Sequence, residues 1–189
     1  MNGMAFSPMR MARIRHGAFA LAAAALPCHA QPAEETRNWF GDPFFQISSA
    51  IADCPLPAGP FITQAERTVQ AHHRAEKGTT CWLAGQCDRP NAHAYDVDIA
   101  AAFKAAWPGD ADVPASTLWV TVQGRVIYIE GCAANASAAP RLEAFARRLP
   151  YVQQAIAIVR GGPGSRVPYK LRGMIAPDPS PAPSNPRPP

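Results

Sequence analysis

Residues 116–159 constrain the chain more than any other stretch, reading STLWVTVQGRVIYIEGCAANASAAPRLEAFARRLPYVQQAIAIV. Leu118, Val120 and Val122 alternate with Trp119, Thr121 and Gln123, the two-residue period of a half-buried strand. Gln123-Gly124 predicts a tight turn, and Val126, Tyr128 and Glu130 alternate with Ile127 and Ile129 on a returning strand. Pro140 fits the first turn of a helix whose apolar face is Leu142, Phe145, Ala146 and Leu149. Pro150 closes that helix, and Val152 to Val159 form a last strand. Upstream, Asp96 or Asp98 caps a helix with Ile99, Ala102, Phe103 and Ala106 on one face, ended by Pro108-Gly109. Helix, strand, strand, helix, strand is an α+β order. It predicts a small αββαβ sandwich over residues 95–160, a three-stranded sheet with helices on one face.

Residues 31–94 form an N-terminal extension expected to wrap that sheet. Its first part, 31–62, is irregular and rich in Pro and Gly. Thr63 and Glu66 make the S/T-x-x-E capping pattern, so a helix is expected over about 63–77, stopped by Gly78. Beyond residue 160 the Gly161-Gly162-Pro163-Gly164 run breaks the structure, and 161–189 is expected as a Gly/Pro-rich disordered tail. Val167 to Leu171 either adds a short edge strand or lies extended, and from Ala176 half the residues are proline, predicting disorder with polyproline character.

The start of the chain reads as a secretory leader. A basic region ends at His16, an apolar run covers Gly17 to Leu26, and small residues precede Gln31, so cleavage is expected after Ala30. Ten apolar residues are too few to cross a bilayer of roughly 30 Å as a helix. Cys28 offers the rival reading of a lipoprotein, disfavoured by Pro27 before it. A periplasmic or secreted protein is therefore expected. The formal charge of +4 owes much to Arg10, Arg13 and Arg15, and the residues after 30 are close to neutral. A near-neutral chain provides no electrostatic case for nucleic acid.

Cys54, Cys81, Cys87 and Cys132 are an even count in an exported chain and read as two disulfides, with three possible connectivities. The preferred pairing is Cys81–Cys87, closing a short loop, and Cys54–Cys132, tying the extension to the sandwich. Zinc is the competing reading for His72, His73, Cys81 and Cys87. Adjacent helical histidines point about 100° apart, and the spacing misses the common ligand patterns, so no metal or other cofactor is expected. No G-x-S-x-G, H-E-x-x-H or phosphate loop occurs, and Asp96 and Asp98 suit a capping or dipole role, so no catalytic residue is assigned.

Val120, Gly124, Val126, Tyr128 and Gly131 in the hairpin, with Val152 and Ile156 in the closing strand, resemble the BON domain, a module of bacterial envelope proteins. The chain departs from that pattern at Tyr151-Val152, at Ala157 and at Cys132 directly after Gly131. Gly124 is expected to supply a positive φ in the turn, and Gly131 to let the chain leave the strand sharply. The resemblance implies a non-enzymatic part that binds phospholipid surfaces or envelope proteins, in envelope integrity or stress tolerance. A similar unit builds rings in secretion machines, so the alternative is an accessory or structural component of such an assembly. Candidate contact residues are Trp39, Phe40, Phe44 and Phe45 in the aromatic segment, Trp119 on the sheet, and Arg141, Arg147 and Arg148 beside the second helix. Each has a plain alternative: aromatics packed across the sheet, arginines on a solvated face.

Overall fold

The computed structural model describes residues 34–108, 113 and 115–173. The leader, Cys28, the cleavage point after Ala30 and the chain from residue 174 lie outside the described residues. The sheet has four strands, β1 (Phe44–Ser49), β2 (Ser116–Gln123), β3 (Val126–Ala133) and β4 (Gln154–Gly161), in that spatial order. This corrects the expected three. β1 pairs antiparallel with β2, from Phe44 opposite Thr121 to Ser49 opposite Thr117. A register shift between Gln46 and Ser48 interrupts its two-residue period, so 31–62 reads as irregular although it contains a strand. β3 and β4 run parallel, which the intervening helix α4 (Ala138–Ala146) makes possible.

The β2–β3 connection has its two central residues, Gly124 and Arg125, at φ +59° and +68°, the geometry of a two-residue hairpin turn. Asp96, the first residue of helix α3 (Asp96–Ala106), accepts hydrogen bonds from the Gly124 and Arg125 N–H groups at 2.7 and 2.8 Å. It secures the turn rather than capping its own helix. Gly131 does not end β3, which continues to Ala133. It sits at φ +144°, and a Cβ there would lie 2.1 Å from the Thr117 carbonyl oxygen, so close approach to β2 excludes a side chain.

One face of the sheet carries both α3 and α4. Leu118, Val120 and Val122 of β2 and Ile127 and Ile129 of β3 meet Ile99 and Phe103 of α3 and Leu142 and Ala146 of α4, all buried. Each large side chain fully buried there contributes roughly 1.5–3 kcal/mol. The outer edge of β4 is occupied by α4: Glu143 accepts from the Ala157 N–H at 3.0 Å, and Arg147 donates to the Ala155 carbonyl at 3.1 Å. The strand edge is thereby shielded from pairing with another chain.

The disulfides are those of the preferred pairing: Cys54–Cys132 binds the extension to this sandwich, and Cys81–Cys87 closes a loop within the extension. Helix α1 (Gln64–Gly78) carries the expected capping box at Thr63 and Glu66. A buried ion pair holds it, Arg74 donating to both Asp42 oxygens at 2.7 and 2.9 Å, with Gln123 of β2 donating to the same carboxylate. A one-turn helix α2 (Thr80–Leu83) and a 3-10 turn at Ala92–Tyr95 lead into α3. Of the two readings for residues 167–171, the extended one holds: Leu171 makes a single bridge to Pro57, and Tyr169 is buried.

Candidate functional site

Phe103 lies on the buried face of α3, and Trp107 follows it four residues later, just past the end of the helix. The indole stacks on Phe103 at 5.7 Å and meets Phe145 of α4 edge-on at 5.5 Å, while Phe103 and Phe145 are themselves edge-to-face at 5.2 Å. Trp107 and Phe145, with Val113 and Leu142, floor a groove of about 320 Å³ between the end of α3 and α4, and Phe103 supports the two rings from the core. Arg141 and Arg148 stand at its rim, both exposed, the Arg148 guanidinium 5.9 Å from the Phe145 ring centroid. Neither arginine forms a salt bridge among the described residues. The Trp107 Nε1–H is buried, with no hydrogen-bond partner among the described residues. The groove therefore offers an apolar, aromatic floor and two cations.

The structure separates the three arginines of the sequence reading. Arg147 is engaged by Glu143 at 2.8 Å and by the Ala155 carbonyl, on the β4 side, whereas Arg141 and Arg148 line the groove. The aromatic segment is packed ring by ring. Trp39 donates its indole N–H to the Ile62 carbonyl at 2.8 Å and lies between the Arg37 and Arg67 guanidinium groups, each 5.4 Å away. Phe40 lies beneath Arg74, Phe44 meets Phe61, and Phe45 meets Phe103. Trp119 is only 9% exposed and presents no surface. Trp107 was not singled out from the sequence, although its i+4 spacing from Phe103 and its place before Pro108 mark an aromatic at a helix end.

On the opposite face of the sheet, Glu130 sits in register between Trp119 of β2 and Ile158 of β4. Burial pushes its carboxyl above the ordinary range, and raises the neighbouring Tyr128 phenol as well. Asp42, His93 and Asp96 bring potential metal-ligand atoms within 4.8 Å of one another. Both carboxylates are already occupied by protein donors: Asp42 by Arg74 and Gln123, Asp96 by two turn amides and His93 Nδ1 at 3.1 Å. A cation would have to displace these bonds, so the cluster reads as a buried ionic tie between extension and hairpin. Cys81 and Cys87 are joined in a disulfide, and exposed His72 pairs with Glu76 at 3.2 Å.

The αββαβ unit, with both helices on one face of the sheet, defines a small α+β module. Residues 95–158 match the family model of the BON domain, about a third of the chain, so this segment is a BON domain. The match begins at Tyr95 and ends within β4, leaving β1, α1, α2 and Cys54, Cys81 and Cys87 outside it. No curated protein and no solved structure matches the chain at a significant level. The BON domain is a binding module rather than a catalytic one. Among the described residues no helix is long and apolar enough to cross a membrane.

Proposed function

We propose that this chain is an exported, non-enzymatic envelope protein whose single BON domain attaches it to phospholipid surfaces through the groove between α3 and α4. The observation that carries this reading is a groove floored by Trp107 and Phe145 and flanked by Arg141 and Arg148, neither of which forms a salt bridge among the described residues. A phosphodiester headgroup accepts hydrogen bonds from Arg141 and Arg148, while Trp107 and Phe145 receive the first methylenes of an acyl chain. With near-neutral charge beyond the leader, attraction to anionic lipid is local to the groove rather than a field of the whole molecule. Attachment of this kind suits a role in envelope integrity. Residues 31–94 and the 54–132 bridge then set how the domain is presented.

The test is flotation of the oxidised protein with vesicles of phosphatidylglycerol and phosphatidylcholine at moderate salt. Co-flotation is expected with the anionic mixture, lowered at least fivefold by W107A or by R141E/R148E, and unchanged by R166E at an exposed arginine after β4. No flotation, or flotation indifferent to W107A and R141E/R148E, overturns the lipid reading and turns attention to a protein partner in an envelope assembly.

A further inference from the structure

The Cys81–Cys87 disulfide differs from Cys54–Cys132 in its surroundings. Arg125 Nη1 donates a hydrogen bond to Cys87 Sγ at 2.8 Å. The arginine is held independently of the cystine. Its backbone N–H is bound by Asp96, its Nε donates to the Tyr151 carbonyl at 2.8 Å, and its guanidinium carbon lies 5.1 Å from the Tyr95 ring centroid. Other charges near Cys87 are accounted for: Asp88 accepts the Tyr95 hydroxyl hydrogen bond, and Arg89 pairs with Asp98. Cys87 packs against the hydrophobic core, whereas Cys81 lies on α2, where Trp82 is 46% and Leu83 80% exposed. The Cys54 and Cys132 sulfurs instead meet the Tyr169 hydroxyl oxygen at 3.5 and 3.6 Å, Cys54 also lies 3.6 Å from the Thr117 carbonyl oxygen, and Cys132 is buried. A carbonyl dipole opposes a thiolate; a guanidinium stabilises one.

We propose that Cys81–Cys87 is a thiol-exchange site that takes a dithiol, with Cys81 as the attacked sulfur and Cys87 as the leaving thiolate. The incoming thiolate attacks Cys81 Sγ, the S–S bond breaks, and its electron pair leaves on Cys87 Sγ, where the Arg125 guanidinium receives the charge. The second thiol of the dithiol loses its proton to solvent and attacks the mixed disulfide. The dithiol departs as a disulfide, oxidised by two electrons, and Cys81 leaves as a thiolate that takes up a proton. A lower leaving-group pKa makes the first step faster, and stabilising the reduced form makes the pair more oxidising. The exposed Trp82 and Leu83 provide apolar surface beside the attacked sulfur for a protein dithiol to rest on. Reduction releases α2 from the hairpin turn and leaves the 54–132 bridge closed.

The experiment equilibrates the full chain in buffers of reduced and oxidised dithiothreitol, alkylates the thiols and maps the labelled peptides. Cys81 and Cys87 are expected to open at a ratio of reduced to oxidised reagent at least tenfold lower than Cys54 and Cys132 require. R125Q is expected to make the 81–87 pair about tenfold harder to reduce, equivalent to about 30 mV, and R125K to recover most of that shift. Trapping with glutathione places the adduct on Cys81. Simultaneous opening, opening of 54–132 first, an adduct on Cys87, or an R125Q protein with unchanged potential overturns the proposal. In C81S, which leaves Arg125 in place, the Cys87 thiol is expected to titrate below the ordinary value of about 8.5. Titration at or above that value also overturns it.

Discussion

At the scale of single residues, Glu130 separates what a sequence pattern states from what burial imposes. Its alternation with Ile127 and Ile129 places it on the sheet face away from the helices, where a solvated carboxylate is the ordinary expectation. There it is half-buried between Trp119 and Ile158, and desolvation raises its pKa. An acid with a raised folded-state pKa favours folding when protonated. Its contribution is complete below the unfolded-state value of about 4.3 and is lost as pH rises through the higher folded value. E130Q remains neutral at every pH. Thermal melts are expected to place E130Q above the parent protein at pH 7, with the gap closing below about pH 4. A gap that persists at low pH would assign the effect to packing instead. Gly131, the next residue, shows the converse: the motif was visible in the sequence, while the reason for it, the Thr117 carbonyl across the strand pair, was not.

At the scale of elements, α1 was legible from its capping box, because that signal lies within a few residues of the helix start; Gly78, expected to stop it, instead lies inside the helix, which Thr79 caps. Its attachment was not legible. The helix offers few apolar side chains and docks through Arg74 onto Asp42, which lies 32 positions earlier in the chain. Breaking a buried pair by removing one partner costs about 3 kcal/mol, because the remaining charge stays desolvated. R74M is expected to lower stability by about that amount in urea melts, and D42N/R74M to lower it by less. A loss for D42N/R74M equal to the sum of the R74M and D42N losses would show that the pair carries no coupling. The same argument from distance explains β1: a bulge hides its period, and its partner strand begins 67 residues after its end.

At the scale of the whole molecule, one disulfide joins the extension to the domain and the other closes a loop within the extension. Cys54–Cys132 spans 78 positions and Cys81–Cys87 only 6. In the chain-entropy view the long bridge contributes about 4 kcal/mol and the short one roughly 2 kcal/mol. C54A/C132A is expected to lose about twice the stability of C81A/C87A in urea unfolding at equal pH. A larger loss for the short bridge would mean that it does more than restrict the unfolded chain. The long bridge joins β3 to the segment after β1, whereas the short one closes a loop within the extension, and the Arg125 hydrogen bond to Cys87 links that loop to the hairpin turn.

The sequence by itself determined the helix–strand–strand–helix–strand order, the glycine hairpin, the capped helix α1 and the even set of cysteines. Periodicity, capping and turn chemistry act between residues only a few positions apart. Only the tertiary structure decided that β1 completes the sheet, that Trp107 and two of three arginines meet in one groove, and that Arg125 faces Cys87. Those outcomes depend on which distant side chains the closed sheet brings within a few ångströms, and on which polar groups burial then leaves with a partner or without one.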